Sequence, residues 1–327
     1  MLQIMNRSAI RQKKDTLFFE RIYFMKLNHV LESQQFTVPV LMELFERTAQ
    51  MKKIVARGGT LDWRSKIMAT LFYKPSTRTR FSFESAMLRL GGSILTTEQA
   101  QAFSSEVEGE SLEDTIQIIG NYCDVIVLRH HESGGAKRAA AVSPVPIINA
   151  GDGSGGQHPT QALLDLYTIY HECHTLDGIS VAIIGALDYG RTARSLAYLL
   201  SKFDRVKLYF IAPDELQIGS DILEHLDERG VSYQLSNTTE DIINRVDVVY
   251  QTRIDRERLI DKNYDLSVFN IDSQKLQKMK YNSIVMHPLP RSVEISPAVD
   301  ADPRAAYFRQ AKNGLYVRMA LLTMMFD

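Results

Sequence analysis

Ile67-Met68-Ala69-Thr70-Leu71-Phe72-Tyr73-Lys74-Pro75-Ser76-Thr77-Arg78-Thr79-Arg80 decides the fold. An apolar run ends at Tyr73, a proline and three hydroxyl residues follow, and a helical pattern continues to Leu90. A buried strand that feeds a helix is the unit of α/β architecture. Ser and Thr are ordinary helix caps, but Arg78 and Arg80 in the first turn oppose the helix dipole, whose N-terminal end is already positive. An anion relieves such a start. Backbone N–H groups, the hydroxyls of Ser76, Thr77 and Thr79, and the Arg78 guanidinium suit a phosphate held without metal or glycine-rich loop. A capped surface helix with solvated arginines is the alternative that this segment alone leaves open.

Working outward, the alternation repeats. Short apolar runs at Val125 to Arg129, Val145 to Asn149, Ser180 to Ile184, Val206 to Ile211, Val246 to Tyr250 and Ser283 to Met286 predict strands. Between them, Ser111 to Tyr122, Pro159 to Tyr170 and Thr192 to Phe203 have helical patterns. Continuous rather than alternating apolar strands are those of parallel sheets covered on both faces, and ligands then belong at the strands' carboxyl ends. The 327 residues suit two domains of about 150 residues each. The fold expected is therefore α/β, two doubly wound parallel-sheet domains with a cleft at the glycine-rich stretch Gly151 to Gly156.

A formal net charge of −1 points to no nucleic-acid partner, and 45% hydrophobic with 24% charged residues is an ordinary globular composition. No run approaches the roughly 18 apolar residues of a membrane span. Cys123 and Cys173 lack metal-ligand spacing, so neither a zinc site nor a disulfide framework is expected, and a reducing cytoplasm fits. Residues 1–25 are basic and lack an apolar core followed by a cleavage site, which argues against a secretory signal; a transit peptide is the weaker alternative, and they are read as a flexible extension, or as upstream of a start at Met25.

The strand-end rule gathers a consistent set. Val125 to Leu128 leads into Arg129-His130-His131, and Val145 to Asn149 leads through the glycines into His158-Pro159-Thr160-Gln161. The later strands deliver Tyr189-Gly190-Arg191-Thr192, Thr252-Arg253 and His287-Pro288-Leu289-Pro290-Arg291. Gly185-Ala186-Leu187-Asp188-Tyr189-Gly190 lacks the second glycine of a dinucleotide fingerprint, and Gly190-Arg191-Thr192 lacks the lysine of a P-loop. No G-x-S-x-G elbow is present, so covalent acyl transfer is not indicated.

Phe72-Tyr73-Lys74-Pro75-Ser76-Thr77-Arg78-Thr79-Arg80-Phe81-Ser82-Phe83-Glu84 resembles the carbamoyl phosphate signature of the aspartate and ornithine transcarbamoylases. Asn149 to Gly153, His158 to Gln161, Tyr189 to Thr192, Thr252-Arg253, His287 to Arg291 and Asp302 to Phe308 resemble the aspartate branch, from about Leu27 onward. The resemblance implies attack of the aspartate amine on carbamoyl phosphate, with release of phosphate, as a step of de novo pyrimidine synthesis. Ser76, Thr77, Arg78 and Thr79 would hold the phosphate; Thr79, Arg129 and His158 would face the carbonyl oxygen. Gln161 and the carbonyls of Leu289 and Pro290 would hold the carbamoyl amino group, and Arg191 and Arg253 would clamp aspartate. No metal or cofactor is implied. Residues 26–156 with 313–327 would form the carbamoyl phosphate domain and 157–312 the amino-acid domain, with a C-terminal helix, Asn313 to Phe326, returning to the first. The family is built on trimers whose loop corresponding to Ser104 through Glu110 reaches a neighbour's site, and regulatory or other pathway chains are further partners to expect.

Four positions depart from that pattern, each altering charge. Glu108 stands where the family usually has the lysine given across the subunit boundary, and Lys74 where glutamate is usual. Asp188 replaces a lysine or apolar residue, and Asp255 the glutamine of Thr-Arg-x-Gln. Compensation among the new charges is one reading. A cationic amine as acceptor is another, and a homologue that binds carbamoyl phosphate without consuming it, as an assembly or regulatory partner, is a third. Arg191 and Arg253 favour a dicarboxylate.

Overall fold

The computed structural model describes residues 26–98, 109–153, 155–254, 256–259 and 265–327. The extension 1–25 and two of the four departures, Glu108 and Asp255, lie outside the described residues, as does most of the Ser104 to Glu110 loop. The first half comprises α1 (Val38–Ala56), β1 (Ile67–Phe72), α2 (Thr77–Arg89), β2 (Ser93–Glu98), α3 (Leu112–Gly120), β3 (Val125–Arg129), α4 (Gly135–Val142) and β4 (Ile147–Asn149). The second comprises α5 (Pro159–Cys173), β5 (Ser180–Ile184), α6 (Arg191–Leu200), β6 (Lys207–Ile211), α7 (Ser220–Glu228), β7 (Ser232–Ser236), β8 (Val248–Gln251), α8 (Ser273–Lys278), β9 (Ile284–Met286) and α9 (Tyr307–Phe326).

Two parallel sheets result, ordered β2-β1-β3-β4 and β7-β6-β5-β8-β9. The central strands read as continuous apolar runs because both faces are covered: all of Val125, Ile126, Val127 and Leu128 in β3 are fully buried. Each order reverses once, between β1 and β3 in one sheet and between β5 and β8 in the other. At such a reversal the following helices leave on opposite faces, and a crevice opens at the strands' carboxyl ends. Those ends deliver the β1–α2 turn and Arg129 from one sheet, and Gly185 to Arg191 and Thr252-Arg253 from the other.

The edge strands β2 and β7 lack a continuous apolar run, since β7 is half-exposed along its length, so the pattern passes over them. Pro146 shortens β4 to Ile147–Asn149: its carbonyl accepts from Ile126 N at 2.9 Å, but it has no N–H to return. The C-terminal helix begins at Tyr307, ahead of the expected Asn313, because Arg309, Gln310 and Lys312 interrupt its apolar pattern. It packs against α1, α2 and α5. Its last two turns are buried nearly all round, with Leu321, Leu322 and Met324 fully enclosed. Leu27 N donates to Met324 O at 2.9 Å, and the Arg47 guanidinium holds Asp327 at 2.5 Å, fastening the last turn to the first half of the chain.

Candidate functional site

Helix α3 is capped in the ordinary way: Ser111 at its start accepts from Asp114 N at 3.1 Å, with Glu113 and Asp114 in the first turn. Three helices at the crevice do otherwise. The N-caps of α2 (Ser76), α5 (His158) and α6 (Gly190) make no side-chain cap bond, and none of the three has an acid in its first turn. Arg78, His158 and Arg191 sit there instead, so basic groups add to three positive helix ends.

These starts meet around one cavity of about 410 Å³. Of the residues expected from the sequence, Ser76, Arg78, Thr79, Arg129, His158, Gln161, Arg191, Leu289 and Pro290 line it. Gly151 marks the point of convergence. Its φ of +107° suits glycine, and a Cβ there would lie 3.1 Å from His158 Cδ2 and 3.3 Å from both Arg129 Nη1 and Arg191 Nη1. Thr77, exposed like Arg78, lies outside the lining. Arg253 lies in an adjoining hollow of about 380 Å³ that shares Thr192 and the His287 to Pro290 turn with the first.

Among the described lining residues of the main cavity four are arginines and none is a carboxylate. Burial pushes the Arg129 guanidinium down to about 10, with the charges of Arg191 and Arg78 adding to it; its Nη1 donates to Ala150 O at 3.2 Å, while its buried Nε has no partner among the described residues. Burial likewise lowers Arg78 and Arg191, the latter donating to Asp152 O at 2.5 Å with the Asp152 charge opposing the shift. Burial first, then Arg191, Arg129 and Arg318, hold His158 well below its ordinary value. A site that crowds cations against their own desolvation is built for a compact anion. A neutral His158 is then a hydrogen-bond donor and not another charge.

That depression has a measurable sign. The unfolded chain takes up a proton on His158 near 6.5, the folded chain only well below it, so the contribution to stability is complete above pH 6.5 and falls as pH drops beneath it. Wild type should lose ~1.4 kcal/mol per pH unit more than His158→Gln below that value, read from urea midpoints. Equal slopes would remove the depressed imidazole.

The strand-end histidines divide by role. His287 Nδ1 accepts from Leu289 N at 2.8 Å, so its Nε2 carries the proton toward Glu294 Oε1 at 3.0 Å. It braces the turn that holds Leu289, at φ +56°, and the cis Leu289–Pro290 bond. His130 and His131 turn from the cavity to pack on Tyr73 and each other. With Glu132 they bring three ligand-type atoms within 4.8 Å, where Glu132 Oε2 pairs with Arg138 at 2.7 Å and His130 Nδ1 accepts from the Glu132 amide at 3.1 Å.

Of the described departures, Lys74 is exposed at the rim, and Asp188 pairs with Arg258 beside the smaller hollow. Sequence reasoning missed Ser82, Gln310 and Arg318. Arg318 is buried, donates to Ser82 Oγ at 2.8 Å and stacks over Phe83, with its centre 5.0 Å from the ring. An arginine within the apolar second half of the C-terminal helix was the signal available.

Residues 28–171 match the family model for the aspartate/ornithine carbamoyltransferase carbamoyl-P binding domain, and residues 177–325 match that for the Asp/Orn binding domain. The chain belongs to the aspartate/ornithine carbamoyltransferase family. Within it, the chain is 52% identical to the chloroplastic aspartate carbamoyltransferase of Arabidopsis thaliana, over 92% of this chain and 78% of that one. It is 48% identical to the aspartate carbamoyltransferase catalytic subunit of Thermoplasma volcanium, over 86% and 92%. Among solved carbamoyltransferases, the aspartate transcarbamoylase catalytic subunit of M. jannaschii superposes with a TM-score of 0.85 at 43% identity, covering 92% of this chain and 98% of that one. Aspartate transcarbamoylase from Trypanosoma cruzi in complex with carbamoyl phosphate and aspartate gives 0.87 at 38% identity, covering 92% and 96%.

Proposed function

We propose that the chain is an aspartate carbamoyltransferase, moving the carbamoyl group of carbamoyl phosphate to the amine of L-aspartate in de novo pyrimidine synthesis. The observation that carries this is a cavity where Arg78, Arg129, Arg191 and a neutral His158 converge at three uncapped helix starts, with no carboxylate among its described lining residues. The phosphate sits at the start of α2 on Ser76, Arg78 and Thr79, with Thr77, whose side chain lies outside the lining, contributing through its backbone N–H at the positive helix end. Arg129, His158 and Thr79 donate to the carbonyl oxygen. As the aspartate nitrogen bonds to the carbonyl carbon, the C=O electrons move to that oxygen, and fixed donors aimed there lower the barrier. The oxyanion's electrons then return to re-form the C=O bond, the C–O bond to phosphate breaks with its electrons leaving on phosphate, and the departing phosphate takes the proton that the amine gives up. Gln161 and the Leu289 and Pro290 carbonyls hold the carbamoyl amino group; Arg191 and Arg253 clamp the two aspartate carboxylates. This chemistry is positioning plus electrostatics.

The division into residues 26–156 with 313–327 and residues 157–312, a cytoplasmic homotrimer with shared sites, and attachment of regulatory or other pathway chains belong to the same proposal. Plant relatives carry the description chloroplastic. Among the described residues no helix is long and apolar enough to cross a membrane. The Asp188–Arg258 pair supports compensation as the reading of that departure.

The test is release of phosphate from carbamoyl phosphate with aspartate, ornithine or putrescine as acceptor. Turnover with aspartate is expected. Turnover only with a diamine would replace it with a cationic acceptor, and binding without turnover would make the chain an assembly partner.

A further inference from the structure

Beneath the cavity, α5 carries a carboxylate that lies outside the cavity lining and that the chemistry above does not use. Asp165 is fully buried, and no cation lies within hydrogen-bond reach of it among the described residues. Its Oδ1 accepts from Gln161 Nε2 at 2.8 Å and from Gln310 Nε2 at 2.6 Å, and its Oδ2 from the Tyr250 hydroxyl at 2.7 Å. Gln310 Oε1 in turn accepts from His287 N at 2.9 Å. One carboxyl group thus ties α5 to β8, to α9 and, through Gln310, to the turn after β9.

A side-chain amide presents a donor at one end and an acceptor at the other, and two nearly identical faces, so its direction is set by its partners. Both directions here are forced. With its proton absent or on Oδ2, Oδ1 can only accept, so each glutamine turns its NH₂ toward Asp165. For Gln310 the His287 N–H, which can only donate, demands the same orientation independently. Gln161 is left with its carbonyl oxygen for the cavity it lines. We infer that Asp165 is a positioning residue that fixes the amide direction of Gln161, so that the site offers an acceptor to the NH₂ of carbamoyl phosphate and selects it over an acyl phosphate with no such donor. This rests on the proposed carbamoyl transfer. Either protonation state of Asp165 serves: burial raises the carboxyl to about 7, and a proton on Oδ2 merely reverses the bond with Tyr250 while Oδ1 goes on accepting.

The probe is acetyl phosphate, which carries CH₃ where carbamoyl phosphate carries NH₂. Wild type should bind carbamoyl phosphate more tightly by at least about tenfold, the scale of one buried hydrogen bond with its partner. Asp165→Leu, which lacks an acceptor, should bring the two affinities together by weakening carbamoyl phosphate alone. Asp165→Asn keeps Oδ1 and donates to Tyr250 from Nδ2, and should restore the preference. Tyr250→Phe removes a buried hydroxyl without touching either glutamine, so it should keep the preference even as stability falls. Equal loss of both ligands in Asp165→Leu, or loss of the preference in Tyr250→Phe, would reduce Asp165 to a structural role. If Asp165→Leu does not fold, the wild-type side-chain amide protons decide. Slow hydrogen exchange at both Gln161 and Gln310 is expected, and fast exchange at Gln161 overturns the inference. Wild type that turns over aspartate but ignores Asp165 sinks this inference alone; wild type that binds neither ligand sinks the functional reading, and the amide exchange still judges the anchor.

Discussion

Arg129→Met is expected to lower kcat by about a thousandfold, the scale of a fixed donor removed from a developing oxyanion, and to raise the melting temperature of the ligand-free protein. Both effects have one origin. Arg129 is the cation pushed to about 10 by burial and by two neighbouring guanidiniums, and its Nε is buried without a partner among the described residues. Without ligand the protein bears that repulsion. With an oxygen anion forming beside it, the same repulsion becomes attraction, so the unfavourable ground state is the source of the catalytic effect. Methionine fills similar volume and removes the charge, at the loss of one bond to Ala150 O. A rise of ~2–4 °C is expected for each kcal/mol relieved in a chain of this class. Steady-state kinetics and thermal unfolding check the pair of effects. A variant that is both active and unchanged in melting would remove Arg129 from the site.

Arg191→Lys should raise KM for aspartate by about a hundredfold while leaving KM for carbamoyl phosphate within a factor of about three. Charge is retained in this variant, so the effect isolates geometry. One arm of the Arg191 fork is committed, since Nη1 donates to Asp152 O at 2.5 Å. The remaining arms are what a carboxylate can use. A lysine has one nitrogen and must choose between the backbone carbonyl and the ligand, losing the paired bonds that give arginine its hold on carboxylates. Initial rates against aspartate at saturating carbamoyl phosphate read this directly. An equal rise in both KM values would move Arg191 to the phosphate.

Much of this site was legible from residue order, because strand ends are short and chemistry cannot hide in them. Arg129 follows four buried apolar residues, and Ser76 to Arg80 follow a six-residue strand broken only by Thr70, so their side chains had to emerge at the carboxyl edge of a sheet. What residue order could not supply was distance across the chain. Gln310 meets Asp165 from 145 positions away, and Arg318 meets Ser82 from 236. Nothing in the local pattern of α9 points to either meeting, since buried polar groups in a helix look like interruptions until their partners are known. The edge strands were lost for the opposite reason: β2 and β7 have one neighbour each and a wet face, so no apolar run announces them. Asp188 read as an anomaly in sequence because its cation, Arg258, stands 70 residues on.

The packing of α9 against α1 and α2 has a consequence for how the protein is made. A ribosome delivers the chain from its amino end, and domains tend to fold as they emerge. Here the helix that closes over the first sheet's flank is delivered only after every strand of the second sheet. Through most of synthesis α1 and α2, whose Leu41, Leu44 and Met87 belong to the same buried cluster as the last helix, lack that packing partner. The first half is therefore completed only when the last helix arrives.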